Sequence, residues 1–233
     1  MIEATANKME MKANEELQKD VQEAIKWEPS LHSSEIGVTA KDGIVTLTGL
    51  VDSYFVKLEV EDAARNVSGV RALIENIEIR LNNSWNKSNA DIASEALAVL
   101  KQRADLPSDQ IKVEVEDGWI TLDGVLSYNY QKEAARNALI HLKGVTGISN
   151  NIQIKSESTS VIEQRDIEKA IERNSALRNQ NILVHVSGNK VTLTGTVFSW
   201  YHKDEASRIV WNTPGLWTLD NEIIVNHEYP LES

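Results

Sequence analysis

Three short stretches of the sequence set aromatic rings beside a lysine: Tyr54-Phe55-Val56-Lys57, Tyr130-Gln131-Lys132 and Trp200-Tyr201-His202-Lys203. Tyr and Trp rings settle at the depth of lipid headgroups and an ammonium can rest on a phosphate, so this pairing suits an interfacial binding site. Each lysine falls eight residues past a glycine, at Gly49, Gly124 and Gly195. The stretches are therefore copies of one another, and three weak sites on one chain would add through avidity. A lysine in the first turns of a helix opposes the helix dipole by roughly 0.3–1 kcal/mol. A bound anion would offset that, and so would the neighbouring Glu59, Glu133 and Asp204. The competing reading is packing, with the rings against an adjoining unit and the lysines as plain surface. Tyr54, Phe55, Lys57, Tyr130, Lys132, Trp200, Tyr201 and Lys203 are the candidate ligand contacts.

Other chemistry is hard to find. The five histidines, His32, His141, His185, His202 and His227, include no pair at the i, i+4 or short strand spacing that metal sites use. Carboxylate runs such as Glu59/Glu61/Asp62 and Glu114/Glu116/Asp117 suit the solvated faces of an acidic protein. There is no nucleophile elbow, phosphate loop or HExxH. The expectation is a protein that is not an enzyme, with no catalytic residue, no metal and no cofactor.

The elements that must carry the aromatic–lysine stretches are written in a repeated phrase. Val45-Thr46-Leu47-Thr48-Gly49 recurs as Ile120-Thr121-Leu122-Asp123-Gly124 and Val191-Thr192-Leu193-Thr194-Gly195. Alternation with period 2 makes each a half-buried strand. Asp42-Gly43, Asp117-Gly118 and Gly188-Asn189 precede them, and such pairs supply the positive φ of tight hairpins. Alternating runs at Ile36/Val38, Ile111/Val113/Val115 and Ile182/Val184/Val186 complete the hairpins. A further glycine, Gly69, Gly144 or Gly215, follows each phrase at a constant interval of twenty and ends a second helix. For Gly49, Gly124 and Gly195 the expected reason is backbone, a strand ending in a sharp turn into that helix.

Taken in order, each copy reads α-β-β-α-β. Leu17, Val21, Ala24 and Ile25 form the first apolar stripe, and Pro29 ends that helix. Val56, Val60, Ala63, Ala64 and Val67 face the core from the second helix, and Ala72 to Leu81 is the closing strand. In the second copy Tyr128, Ala135, Ala138, Leu139 and Leu142 are expected on one buried face. The spacing Ile2, Ala6, Met9, Ala13 suits a helix running into the first copy. The fold class predicted is α+β: three repeated αββαβ two-layer sandwiches, each a three-stranded mixed sheet with two helices on one face. The expected division is an extension 1–15, units 16–82, 91–155 and 162–228, linkers 83–90 and 156–161, and a tail 229–233.

Composition narrows the class. A net charge of −11 argues against nucleic acid, which needs a dense basic surface, and against simple electrostatic attachment to an anionic bilayer. No run approaches the roughly 18 apolar residues of a membrane span. The opening residues lack the apolar core of a signal peptide, so the expected location is the cytoplasm, or the periplasm if a leader has been removed.

These features together resemble the BON-domain family, named for bacterial osmotically inducible and nodulation proteins. The resemblance rests on Asp117-Gly118-Trp119-Ile120-Thr121-Leu122-Asp123-Gly124, Tyr130-Gln131-Lys132-Glu133-Ala134-Ala135, Gly144-Val145 and Asn151-Ile152-Gln153-Ile154. Gly69-Val70 and Asn76-Ile77-Glu78-Ile79 repeat it; the third copy departs, with Asn189 for the turn glycine and Pro214-Gly215-Leu216 for Gly-Val. The resemblance implies association with a phospholipid surface or an envelope component and support of the cell under osmotic stress. A protein-interaction scaffold in the cytoplasm is the alternative, and binding of potassium or calcium a weaker one.

Overall fold

The computed structural model describes residues 13–29, 35–80, 87–155 and 161–226. The spacing from Ile2 to Met9, Leu31, His32, the first half of the first linker with Trp85, all but one residue of the second, His227 and the tail lie outside the described residues.

The architecture is the expected one, α+β in three αββαβ units. In unit one α1 (Asn14–Trp27) precedes a hairpin of β1 (Glu35–Lys41) and β2 (Ile44–Val51), then α2 (Tyr54–Arg65) and β3 (Ala72–Ile79). Unit two has α3 (Asn89–Gln102), β4 (Ile111–Glu116), β5 (Trp119–Leu126), α4 (Asn129–Leu139), β6 (Gly147–Asn150) and β7 (Gln153–Ile154). Unit three has α5 (Gln164–Arg173), β8 (Asn181–Ser187), β9 (Lys190–Val197), α6 (Trp200–Trp211), β10 (Thr218–Asn221) and β11 (Ile224–Val225). In each unit the repeated phrase is the central strand. It pairs antiparallel with the hairpin partner and parallel with the returning strand, because the second helix carries the chain back across the sheet.

Each unit closes its own core. Leu17, Val21 and Ile25 from α1, Val56, Val60 and Ala64 from α2, and Val38, Val45, Leu47 and Ile77 from the sheet make up most of the first. Equivalent sets make the other two. Among the described residues no polar or charged residue falls in the buried class. Hydrophobic burial therefore carries each unit, at about 25 cal/mol per Å².

Several details differ from the sequence reading. The central strand runs past its glycine to Val51, Leu126 or Val197. The glycine answers to close approach as well as backbone: Gly124 takes φ 153° and Gly195 φ 114°, and a Cβ there would meet the carbonyl oxygens of Gln110 at 2.2 Å and Asn181 at 2.0 Å. The second helices stop at Arg65, Leu139 and Trp211, and the chain makes a further turn before Gly69, Gly144 and Gly215. Tyr128 precedes α4 in extended conformation and is exposed instead of buried, and Leu142 lies beyond the helix end.

The returning strand differs too, being continuous only in unit one. In units two and three an asparagine interrupts it. Asn150 Nδ2 donates to the Lys132 carbonyl at 2.8 Å while its Oδ1 accepts from Ile152 N at 3.4 Å. Asn221 repeats this with Lys203 O at 3.1 Å and Ile223 N at 3.1 Å. Unit one has Glu75 at that place, which accepts from Ile77 N and pairs with Lys57 at 2.7 Å, and the ladder continues from Ala72 to Ile79. The hairpin turns also differ. Asp42-Gly43 and Asp117-Gly118 both take positive φ at two positions, as type I′ requires. In unit three Gly188 alone does so, at 61°, which suits a type II′ turn with Asn189 second.

Candidate functional site

The aromatic–lysine stretches open α2, α4 and α6. Ser53 and Ser199 sit in extended conformation and cap their helices, accepting from Val56 N at 3.5 Å and His202 N at 3.4 Å. Unit two has Tyr128 in the corresponding place, whose N–H donates to Gln131 Oε1 at 3.3 Å. The caps hold the first helical turn at the edge of the unit, where its side chains meet the next one.

Most of the rings are engaged between units. Tyr54 packs on the core of unit two, and the Phe55 ring lies 4.3 Å from that of His141, just past the end of α4. Trp200 crosses to unit one: its Nε1–H donates to Val70 O at 3.3 Å, and the Arg65 guanidinium stacks over it at 5.5 Å. Arg65 also reaches Asp204 of α6 at 2.5 Å. Burial at this joint pushes the Asp204 carboxyl above its ordinary value, with Arg65 opposing and Asp62 reinforcing the shift. Tyr130 and Tyr201 behave differently, being 58% and 56% exposed. Tyr130 stacks on Tyr128 with centroids 5.6 Å apart.

Two of the lysines point along their own units. Lys57 Nζ donates to Ile77 O at 3.2 Å and Lys203 Nζ to Ile223 O at 2.7 Å, tying the second helix to the returning strand. Lys203 also lies 5.5 Å from the Trp200 ring. Lys132 is half-buried, and its carbonyl receives the Asn150 amide. Beside Lys57, burial raises the Glu61 carboxyl; Glu75 and Asp62 add to this, while Lys57 and Arg136 oppose it. His202 is pushed down by burial and has its Nδ1 2.6 Å from Ser199 Oγ.

The joints between units follow one scheme. The start of α2 meets the end of α4, and the start of α6 meets the end of α2. The start of α4 faces the end of α6 across a cleft of about 900 Å³ lined by Tyr128, Asn129, Tyr130, Trp211, Pro214 and Leu216 among others. Trp211 packs on the cores of both units there, and Lys155 of unit two lies 5.9 Å from the Trp217 ring of unit three. The scheme closes the three units in a head-to-tail cycle.

Sequence reasoning did not single out Glu75, Asn150 and Asn221, nor Arg65, His141 and Trp211. The first three share one column of the repeat, so a polar residue there in all three copies was the available signal. The last three lie near the ends of the second helices, but His141 stands one place along from Arg65 and Trp211 and the three differ in type, so no pattern marks them. Among the described residues no group of three His, Cys, Asp or Glu side chains is arranged to hold a metal ion, and no helix is long and apolar enough to cross a membrane.

Comparison with known proteins places these units. A sequence profile described as BON domain matches residues 13–80, 88–156 and 161–227. A relative from Escherichia coli (strain K12), Osmotically-inducible protein Y, is 28% identical over 130 residues, covering 54% of this chain and 65% of its own length. Among solved structures, the C-terminal domain of CdsD, a structural protein of the type III secretion system of Chlamydia trachomatis, aligns with 92% of this chain and 100% of its own at 15% identity and a TM-score of 0.25. The PrgH periplasmic domain aligns with 84% of this chain and 98% of its own at 10% identity and a TM-score of 0.20.

Proposed function

The chain belongs to the BON domain family, in three tandem copies, and on that premise we propose that it is a non-enzymatic binding protein. It associates with a phospholipid surface or another component of the cell envelope and supports the cell under osmotic stress. The observation that carries this reading is the triple family match, joined to partial similarity with an osmotically inducible protein. The exposed Tyr130 and Tyr201 at the helix starts, with Lys132 beside the first, are the proposed lipid contacts. Tyr54, Phe55, Lys57, Trp200 and Lys203, engaged within and between units, hold that surface in place. With a net charge of −11, apolar insertion of the rings rather than bulk attraction must supply the affinity.

Flotation with vesicles of mixed zwitterionic and anionic phospholipid at low salt tests this. Co-flotation that weakens when Tyr130 and Tyr201 are both changed to serine supports it; a protein left at the bottom of the gradient rules it out. A second reading is a protein-interaction scaffold. The uncovered face of the unit-one sheet favours it, since Ile44, Leu50 and Ile74 there are exposed. Capture of a stoichiometric protein partner by a protein inert to lipid would select it.

A further inference from the structure

The three joints are built to one plan, and one of them lacks a part. Five residues past the repeat glycine stand Tyr54 in unit one and Trp200 in unit three, and both rings enter the neighbouring unit. Unit two has Asn129 in that place. Asn129 lines the cleft of about 900 Å³ between units two and three. Trp211 reaches over from the far side onto the core of unit two, yet the space beside Asn129 stays open.

What surrounds that space defines what fits it. One wall is the stacked pair Tyr128 and Tyr130, both more than half exposed, and the other is Trp211. Aromatic walls favour a flat ring, in offset or edge-to-face contact. At the joint between units three and one the inserted indole donates to the carbonyl of Val70, the residue after Gly69. The corresponding residue here is Leu216, after Gly215, and it lines the cleft. The two guanidiniums at the rim are matched within the chain. Arg103 meets Asp105 at 2.9 and 2.8 Å, and Arg208 meets Glu205 at 2.7 and 2.6 Å. Paired charges leave little net pull on an ionic ligand, and Glu133, the remaining charged residue of the lining, is exposed and screened by water. A volume of this order is that of a small-molecule pocket.

We propose that the cleft between units two and three binds a neutral, planar aromatic ring carrying an N–H or O–H donor, in the place that Tyr54 and Trp200 fill at the other two joints. The ring lies between the tyrosine pair and Trp211 and donates to the Leu216 carbonyl. It comes from a free small aromatic molecule or from an aromatic side chain of a peptide. The cleft shares Tyr130 with the proposed lipid contact but does not require a membrane, so failure of vesicle binding would leave it standing.

The test is a titration of the full chain with indole, and separately with N-acetyl-tryptophanamide, followed by two-dimensional amide NMR. The expected result is saturable shifts clustered at Asn129, Tyr130 and Leu216. Saturation by indole identifies a free small molecule as the ligand form; saturation by the amide alone identifies a peptide side chain. Asn129→Trp supplies the missing ring from the chain and should abolish the shifts. Should that variant fold poorly, Tyr130→Ala should weaken binding about three- to tenfold, the range expected for one lost aromatic contact. Absence of saturation with both probes, shifts centred on the outer sheet faces, or binding unchanged in the folded variants would overturn the proposal.

Discussion

Asn221→Ala tests whether one amide holds the returning strand of unit three against its helix. The side chain donates to Lys203 O at 3.1 Å and to Ser207 Oγ at 2.7 Å, and accepts from Ile223 N at 3.1 Å. A typical intramolecular hydrogen bond contributes about 0.5–1.5 kcal/mol, so three give roughly 1.5–4.5 kcal/mol. Asn221 is only half-buried and water can replace part of this, which places the expected loss near the lower end, about 2 kcal/mol. A loss of that size raises the open population of unit three about 30-fold. Amide exchange at Leu193, in the central strand, should accelerate by that factor, while Leu47 in unit one should hardly change. Asn221→Glu should recover at least half of the loss, since unit one already uses Glu75 with Lys57 in this place. An unchanged Leu193 rate, or equal acceleration in units one and three, would refute the reasoning.

Three further outcomes are expected. Gly124→Ala should unfold unit two or cost it more than about 2 kcal/mol, through its positive φ and the Gln110 carbonyl, whereas Gly188→Ala, with open space around it, should cost only about 1 kcal/mol; urea melts of the two variants compare them. Glu61→Gln should raise the thermal midpoint at pH 7. Burial holds the native carboxyl above its unfolded value of 4.5, so its stabilising proton is present below that pH and lost as pH rises through the native value; the gain should vanish below about pH 4, and a variant no more stable at pH 7 would contradict the assignment. Trp200→Leu removes the indole bond to Val70 and the stacked Arg65, and should separate units three and one, seen as a larger radius of gyration in X-ray scattering with helical content retained.

The unit fold was legible because it is written in periodicity. The alternation of Val45, Leu47 and Val51 and the helical spacing of Val56, Val60 and Ala64 each choose a face, and constant glycine intervals align the copies. The break in the returning strand was not legible, because it depends on whether one side chain, Glu75 or Asn221, turns back on its own backbone. The lysines raised a choice between an anion and plain solvent. The partner that Lys57 and Lys203 have in common is a backbone carbonyl, which carries no residue type and leaves no mark in a sequence. The joints were hidden for the opposite reason. Their residues do carry types, but Arg65 and Trp211 differ at one repeat position and His141 stands one place along, so no motif emerges.

A head-to-tail contact used by identical pieces either propagates into a filament or terminates when rotation brings the last piece back to the first. Here a covalent tether of three copies makes the turn complete, so every docking end faces another inside one polypeptide. A truncated chain of units one and two would present one unsatisfied end of each kind. It should multimerise with rising concentration in a sedimentation experiment, while the intact chain sediments as a single species over the same range.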